Sequence, residues 1–224
     1  MRLSLYEIFL FFQWGCMVAS SLFSLTLIGN KRIPVYMGKF YWYTIVAGLF
    51  SFYNFFQKYF IISSKNAFGF LHSALLLFHF LFLSYFIYGV LPNKTIPKFL
   101  KILFFFLFLI IMICLLTNES PRPQSVAFTF TNLGLVIFCC YYYSQLFEAM
   151  PRKNLLKEPS FWIISGIFFC MCSTIPLGAM RTYLFGSQPY ELYFLLGTLG
   201  YFAYGVMHLF FIKAYLCSVN QPKV

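Results

Sequence analysis

Met150-Pro151-Arg152-Lys153-Asn154-Leu155-Leu156-Lys157-Glu158-Pro159-Ser160-Phe161-Trp162-Ile163 is the densest run of charge in an apolar chain, and it joins two long hydrophobic segments. One of these covers 125–147 and the other 160–180. Segments of about 18 apolar residues or more are what a helix needs to cross the hydrocarbon of a bilayer. Working outward adds segments at 5–28, 36–56, 67–90 and 99–116 on one side and 192–216 on the other. The quoted stretch is then the loop between spans five and six. The fold expected is an all-α, polytopic membrane protein: a seven-transmembrane-helix bundle forming one domain over 1–224.

Composition agrees. Of 224 residues, 61% are apolar and 9% charged, with 33 Phe, 17 Tyr and 3 Trp. Soluble domains carry about 25% charged residues, and a soluble chain this apolar would aggregate through its surface. The net charge of +11 does not describe a nucleic-acid site, which needs a contiguous basic face. Here the basic residues stand in ones to threes beside apolar segments, where they anchor helices and meet anionic lipid headgroups.

The same residues set the orientation. Lys31, Arg32, Lys39, Lys94, Lys98, Lys101, Arg152, Lys153, Lys157, Lys213 and Lys223 fall on one side. Arg2, Lys58, Lys65, Arg122 and Arg181 fall on the other. The positive-inside rule puts the first group in the cytoplasm, with the N-terminus outside and the C-terminus inside. The N-terminal apolar run continues past Val18-Ala19-Ser20 and is expected to stay as the first span rather than be cleaved. The seven cysteines lie in or at the ends of apolar segments and read as small buried residues. Gly15/Ala19, Ser20/Ser24 and Thr44/Gly48 have the spacing that lets helices approach closely. Tyr36, Tyr41, Trp42, Tyr141, Tyr142, Tyr143, Trp162, Tyr183 and Tyr190 read as aromatic belts at the membrane surfaces.

Polar side chains inside a bilayer are costly, so each is a functional candidate. Aspartate is absent, and Glu7, Glu119, Glu148, Glu158 and Glu191 all lie at segment ends or in loops. With no carboxylate at membrane depth, no Ser-His-Asp set and no phosphate-cradling loop, no catalytic residue is expected and the chain reads as non-enzymatic. Towards the outer half of the spans, Gln13, Asn54, Gln57, His72 and Asn132, with Arg181 and Glu191 at the mouth, form a candidate ligand site among aromatic walls. The competing explanation is a set of unrelated interhelical hydrogen bonds. Deeper in the bundle, His79, Tyr201, Tyr204 and His208 are candidate polar core residues. A haem held by His79 and His208 is the minor reading, and ordinary hydrogen bonds from each histidine the leading one. No metal and no cofactor are expected.

Leu155-Leu156-Lys157-Glu158-Pro159-Ser160-Phe161-Trp162-Ile163-Ile164-Ser165-Gly166 resembles the L-x-x-P-x-F-W-I-x-x-G run in the N-terminal seven-span sensory regions of bacterial sensor histidine kinases. Tyr141-Tyr142-Tyr143-Ser144-Gln145-Leu146-Phe147 is similar to the end of the adjoining span in those proteins. The clear likeness covers about 30 residues. In that family the seventh span leads into a kinase; this sequence ends at Val224, so the kinase part is absent. The resemblance implies a stand-alone sensory or regulatory module in a bacterial inner membrane. Its partners would be membrane lipids and a cytoplasmic or membrane signalling protein, with no nucleic acid and the oligomeric state open. The output surface would be loop 148–159, carrying Arg152, Lys153, Lys157 and Glu158, with Trp162 beside it. The alternative is a small transporter of the PQ-loop or sugar-carrier type, built from two three-helix repeats around a linker helix. Pro123-Gln124 opens the fifth span, but the first repeat has no Pro-Gln.

Overall fold

The computed structural model describes residues 4–28, 34–60, 65–93, 97–116, 121–149, 154–184 and 190–219. Among them are seven α-helices: α1 Leu5–Leu27, α2 Val35–Phe60, α3 Lys65–Val90, α4 Lys98–Leu116, α5 Pro121–Ala149, α6 Pro159–Leu184 and α7 Tyr190–Val219. A short 3-10 turn at Leu155–Lys157 precedes α6.

Several helices overrun the apolar segments that foretell them. The α5 helix takes in Pro121 and Pro123, and α6 continues past Arg181 to Leu184. Backbone hydrogen bonding does not stop where hydrophobicity stops. Proline in a first turn also costs little, because the N–H it lacks would have no partner there. At about 1.5 Å per residue, the 30 residues of α7 outrun the roughly 30 Å of a bilayer core. The α1 start is fixed by a capping box, in which Ser4 Oγ accepts from the Glu7 amide and the Glu7 carboxylate accepts from the Ser4 amide. This supplies acceptors for two of the four amides that a helix start leaves unpaired.

Packing runs in a ring. The α1 helix lies against α2 and α7, α7 against α6, and α6 against α5. Then α5 meets α3, and α3 returns to α2. The α4 helix sits outside, in the groove between α3 and α5. The tightest seams are those joining α5, α6, α7 and α1, and glycines explain part of that. A methyl group added to Gly205 would strike the Phe12 ring of α1, and one added to Gly166 would strike Phe210 Cβ and the Met207 carbonyl of α7. The missing side chains let the backbones close in. Ser20 and Ser24 are buried as their spacing implies, whereas Gly15 faces outward with nothing near it.

The core is aromatic. Phe40, Tyr41, Tyr43, Phe80, Tyr142, Phe211 and Tyr215 are all fully buried. Tyr41 and Tyr142 therefore do not serve in a surface belt. Tyr41 donates or accepts a bond with Ser218, and Tyr142 donates to Ser160, so each hydroxyl finds a partner inside. Trp42, by contrast, is exposed, as a belt residue should be.

The outside is apolar as well. On α4, Phe99, Ile102, Phe105, Phe106, Leu109, Ile113 and Leu116 stand open, with Ile102 69% and Leu116 81% exposed, while Leu100, Leu107 and Ile111 point inward. A helix that is hydrophobic all round belongs in lipid. Helices α1, α5, α6 and α7 contain stretches long and apolar enough to cross a membrane. The chain is an all-helical integral membrane protein.

Candidate functional site

Polar side chains deep in this apolar bundle converge where α1, α2, α3, α6 and α7 meet. On α3, His79 gives its Nδ1 proton to the Leu75 carbonyl at 2.9 Å. On α7, His208 Nδ1 lies 2.8 Å from Ser20 Oγ of α1. Ser20 Oγ also reaches the Met17 carbonyl, and which of Ser20 and His208 donates depends on the imidazole tautomer. His79, with its proton on Nδ1, keeps an unprotonated Nε2. His79 and His208 each sit about three turns, roughly 16 Å, before the C-terminal end of their helices. They are close enough that a charge on one is felt by the other.

Beside His79 stands Tyr43 of α2. Its ring meets His79 edge-on at 5.4 Å and stacks on Phe82 at 4.7 Å and Phe78 at 5.8 Å. Its hydroxyl is buried without a hydrogen-bond partner, and Tyr204 of α7 and Cys170 of α6 are its electrostatic neighbours. An unpaired buried hydroxyl costs about 1–3 kcal/mol, so something must offset or use it. His79 and Tyr204 are each partly buried.

Below this cluster a polar seam ties α1, α2 and α7 together. Tyr215 donates to Thr44 Oγ1 at 3.1 Å, Thr44 donates to the Tyr41 carbonyl, and Ser21 reaches the Thr44 carbonyl. The end of the bundle where α5 and α7 finish carries a second set of ties. Asn154 caps the 3-10 turn by accepting from the Leu156 amide. Trp162 Nε1–H donates to the Leu156 carbonyl at 2.8 Å, and Cys217 of α7 approaches the same oxygen. The Trp162 ring packs on Phe210 of α7, with Lys213 Nζ 5.7 Å from its centre. The helix bearing His208 and Tyr204 is thus the one that holds the loop before α6.

The sequence candidates divide accordingly. His79, Tyr204 and His208 come together. Tyr201 does not join them, because its hydroxyl lies 2.9 Å from that of Tyr6 nearer the other end of α1 and α7. Gln13 stands two turns from Ser20 along α1, beside Gly205, and its Oε1 is buried and unpaired. Asn132 is committed elsewhere: its amide donates to Thr174 Oγ1 at 2.9 Å, joining α5 to α6. The backbones of Asn54, Gln57, His72, Arg181 and Glu191 belong to α2, α3, α6 and α7, but their side chains lie outside the described set, as do Arg152 and Lys153 entirely. Of the remaining loop residues, Lys157 is exposed and Glu158 partly buried.

Tyr43 is the residue that sequence reasoning missed. It lies within Phe40-Tyr41-Trp42-Tyr43, where helical periodicity buries 40, 41 and 43 and turns 42 outward. That periodicity was the available signal. Among the described residues, no group of three or more His, Cys, Asp or Glu side chains is placed to hold a metal. Two imidazoles flanked by phenols are a set of hydrogen-bonding groups rather than a closed coordination shell.

The fold and site define a helical membrane protein with a polar, aromatic-walled centre. Comparison with protein-family models, curated proteins and solved structures finds no match.

Proposed function

We propose that the chain is a non-enzymatic sensory or regulatory membrane module with seven spans, the N-terminus outside and the C-terminus in the cytoplasm of a bacterial inner membrane. A small ligand binds inside the bundle, and the loop before α6 signals its presence to a partner. The observation that carries this reading is the double role of α7. One stretch of it supplies Tyr204 and His208 to the centre, and another supplies Phe210, Lys213 and Cys217 to Trp162 and Leu156. A ligand that shifts α7 therefore bears directly on the loop. It needs differential contact with two arrangements of the helix to do so.

The site proposed draws on the deeper candidates His79, Tyr204 and His208; of the outer-half set, the side chains of Asn54, Gln57, His72, Arg181 and Glu191 lie outside the described residues. The orientation draws support from Lys39, Lys98, Lys101, Lys157 and Lys213, which are exposed at the end where α1, α3, α5 and α7 finish.

A native mass spectrum of the protein taken directly from its membrane tests the binding. A bound molecule in the wild type, lost from Tyr204→Trp, whose larger ring crowds the centre, is the expected result. The bare mass in both would refute ligand binding.

The order of contacts gives a transporter reading some footing. Exchanging α1, α2 and α3 with α5, α6 and α7 maps the ring onto itself and leaves α4 as the linker. The two halves nevertheless pack unequally, with the firm seams confined to α5, α6, α7 and α1. A rocking carrier built from repeats would be served by equivalent halves. Solute uptake into proteoliposomes above that of empty liposomes would favour the transporter.

A further inference from the structure

Away from the centre, a polar contact stands on the outer surface of the bundle, where lipid surrounds it. Lys39 of α2 and Tyr85 of α3 are both exposed. The Lys39 ammonium donates to the Tyr85 hydroxyl at 2.7 Å and lies 5.0 Å from the centre of its ring. Nothing acidic is at hand to balance that charge, because α2, α3 and α4 contain no Asp or Glu. An ammonium at the edge of an apolar phase is costly without a counter-ion, so its partner must come from the surroundings.

The contact also sets which hydrogens are on offer. Lys39 carries three N–H donors and Tyr85 one O–H. One ammonium hydrogen goes to the Tyr85 oxygen, and no hydrogen bond among the described residues uses the Tyr85 proton. Two N–H groups and the phenol O–H remain, on atoms 2.7 Å apart. That arrangement suits neighbouring oxygens of one phosphate group, which accepts strong charge-assisted bonds.

Depth favours the same occupant. The 26 residues of α2 make a helix of about 39 Å, which outruns the roughly 30 Å of hydrocarbon. Lys39 lies about 6 Å from the start of α2 and Tyr85 about 7.5 Å from the end of α3, so with α2 centred the pair sits at headgroup level. One turn deeper on each helix the surface is apolar and open, with Trp42 and Leu81 exposed. Polar donors above an apolar surface match a phospholipid, whose acyl chains run on from its headgroup. A zwitterionic headgroup brings its own cation, which competes with Lys39 for the phosphate; an anionic one does not. We infer that Lys39 and Tyr85 form a site for the phosphate of an anionic phospholipid, which bridges α2 and α3 at the membrane surface.

Delipidated protein in detergent, titrated with phosphatidylglycerol or phosphatidylcholine and read by native mass spectrometry, tests this. The expected result is phosphatidylglycerol bound at least about tenfold tighter than phosphatidylcholine. Tyr85→Phe, which keeps the ring and the net charge, should weaken phosphatidylglycerol by about threefold or more, and Lys39→Gln by about tenfold. Both positions are exposed, so neither change disturbs the core. Lys101→Gln removes the same charge from an exposed position on α4 and should stay within about twofold of wild type. The lipid adduct should also survive Tyr204→Trp, which separates it from a ligand of the centre. Equal binding of the two lipids would overturn the anionic class. Unchanged binding in Tyr85→Phe and Lys39→Gln, or an equal loss in Lys101→Gln, would overturn the site in favour of diffuse surface charge. Displacement of the lipid by soluble glycerol phosphate would show a free-anion site instead.

Discussion

Gly166 and Gly205 show how single residues decide this packing. A methyl at 166 would lie 2.8 Å from Phe210 Cβ and 3.2 Å from the Met207 carbonyl oxygen, atoms fixed to the α7 backbone. A methyl at 205 would mostly meet the far end of the Phe12 ring, which can turn aside. Gly166→Ala should therefore cost about 1–3 kcal/mol, and Gly205→Ala distinctly less. At Gly15, with nothing within 4 Å, alanine should be neutral or slightly stabilising through its better helix propensity. Thermal unfolding of the three variants in detergent gives the order, and a larger loss at Gly15 than at Gly166 would contradict it. Asn132 makes a different kind of contribution. Replacing it with Leu removes its bond to Thr174, but Thr174 keeps the Cys170 carbonyl as acceptor, so the expected loss is about 0.5–2 kcal/mol. A double-mutant cycle with Thr174→Val isolates that term; no coupling would mean the bond is immaterial.

Among elements, α6 and the turn before it carry the proposed signal. Pro176 lies within α6 and removes one backbone donor from the helix interior. The α5 helix grips α6 on both sides of it, through Asn132 to Thr174 and through Ser125 to the Gly178 carbonyl at 2.9 Å. Those ties hold α5 against α6 on either side of the proline. At the other end, Trp162→Phe keeps a ring against Phe210 but deletes the donor to Leu156. Amide exchange at Lys157 and Glu158, whose N–H groups bond Asn154 and Leu155 carbonyls, should quicken in that variant while exchange in α4 stays unchanged. Unaltered exchange in the turn would show that the Trp162 bond does not hold it. The span pattern was legible from the sequence because hydrophobic length is a local property. Helix ends were less so: α5 begins at Pro121 and α6 ends at Leu184, beyond the apolar segments, because hydropathy does not mark where backbone hydrogen bonding stops.

For the whole molecule, the apolar surface places it in a membrane, and charge placement is the basis of the proposed orientation. The outward faces of α1 and α4 are lined with Leu, Ile and Phe, so extraction should require detergent and fail in high salt or alkali. A fluorescent protein joined after Val219 should glow in the cytoplasm, and alkaline phosphatase at the same position should be inactive; the reverse pattern would invert the orientation. The site was half legible. His79 and His208 stood out because ionisable groups are rare in membrane spans, and α3 and α7 bring them together. Tyr43 was hidden among many aromatics, and its importance comes from an unpaired hydroxyl that only the packed structure exposes to view. Asn132 looked equivalent to Gln13 in sequence, yet one is paired across α5 and α6 and the other is not.

The central claim is that occupancy of the His79–Tyr43–Tyr204–His208 centre is felt at the loop before α6 through α7. Amide hydrogen exchange in nanodiscs, comparing wild type with Tyr204→Trp, tests it most directly, because the larger ring crowds the centre in every molecule. The account predicts that exchange at Lys157 and Glu158 changes by about tenfold or more, roughly 1.4 kcal/mol in opening free energy, with α4 unaffected. Identical exchange at both amides in the two proteins would contradict it.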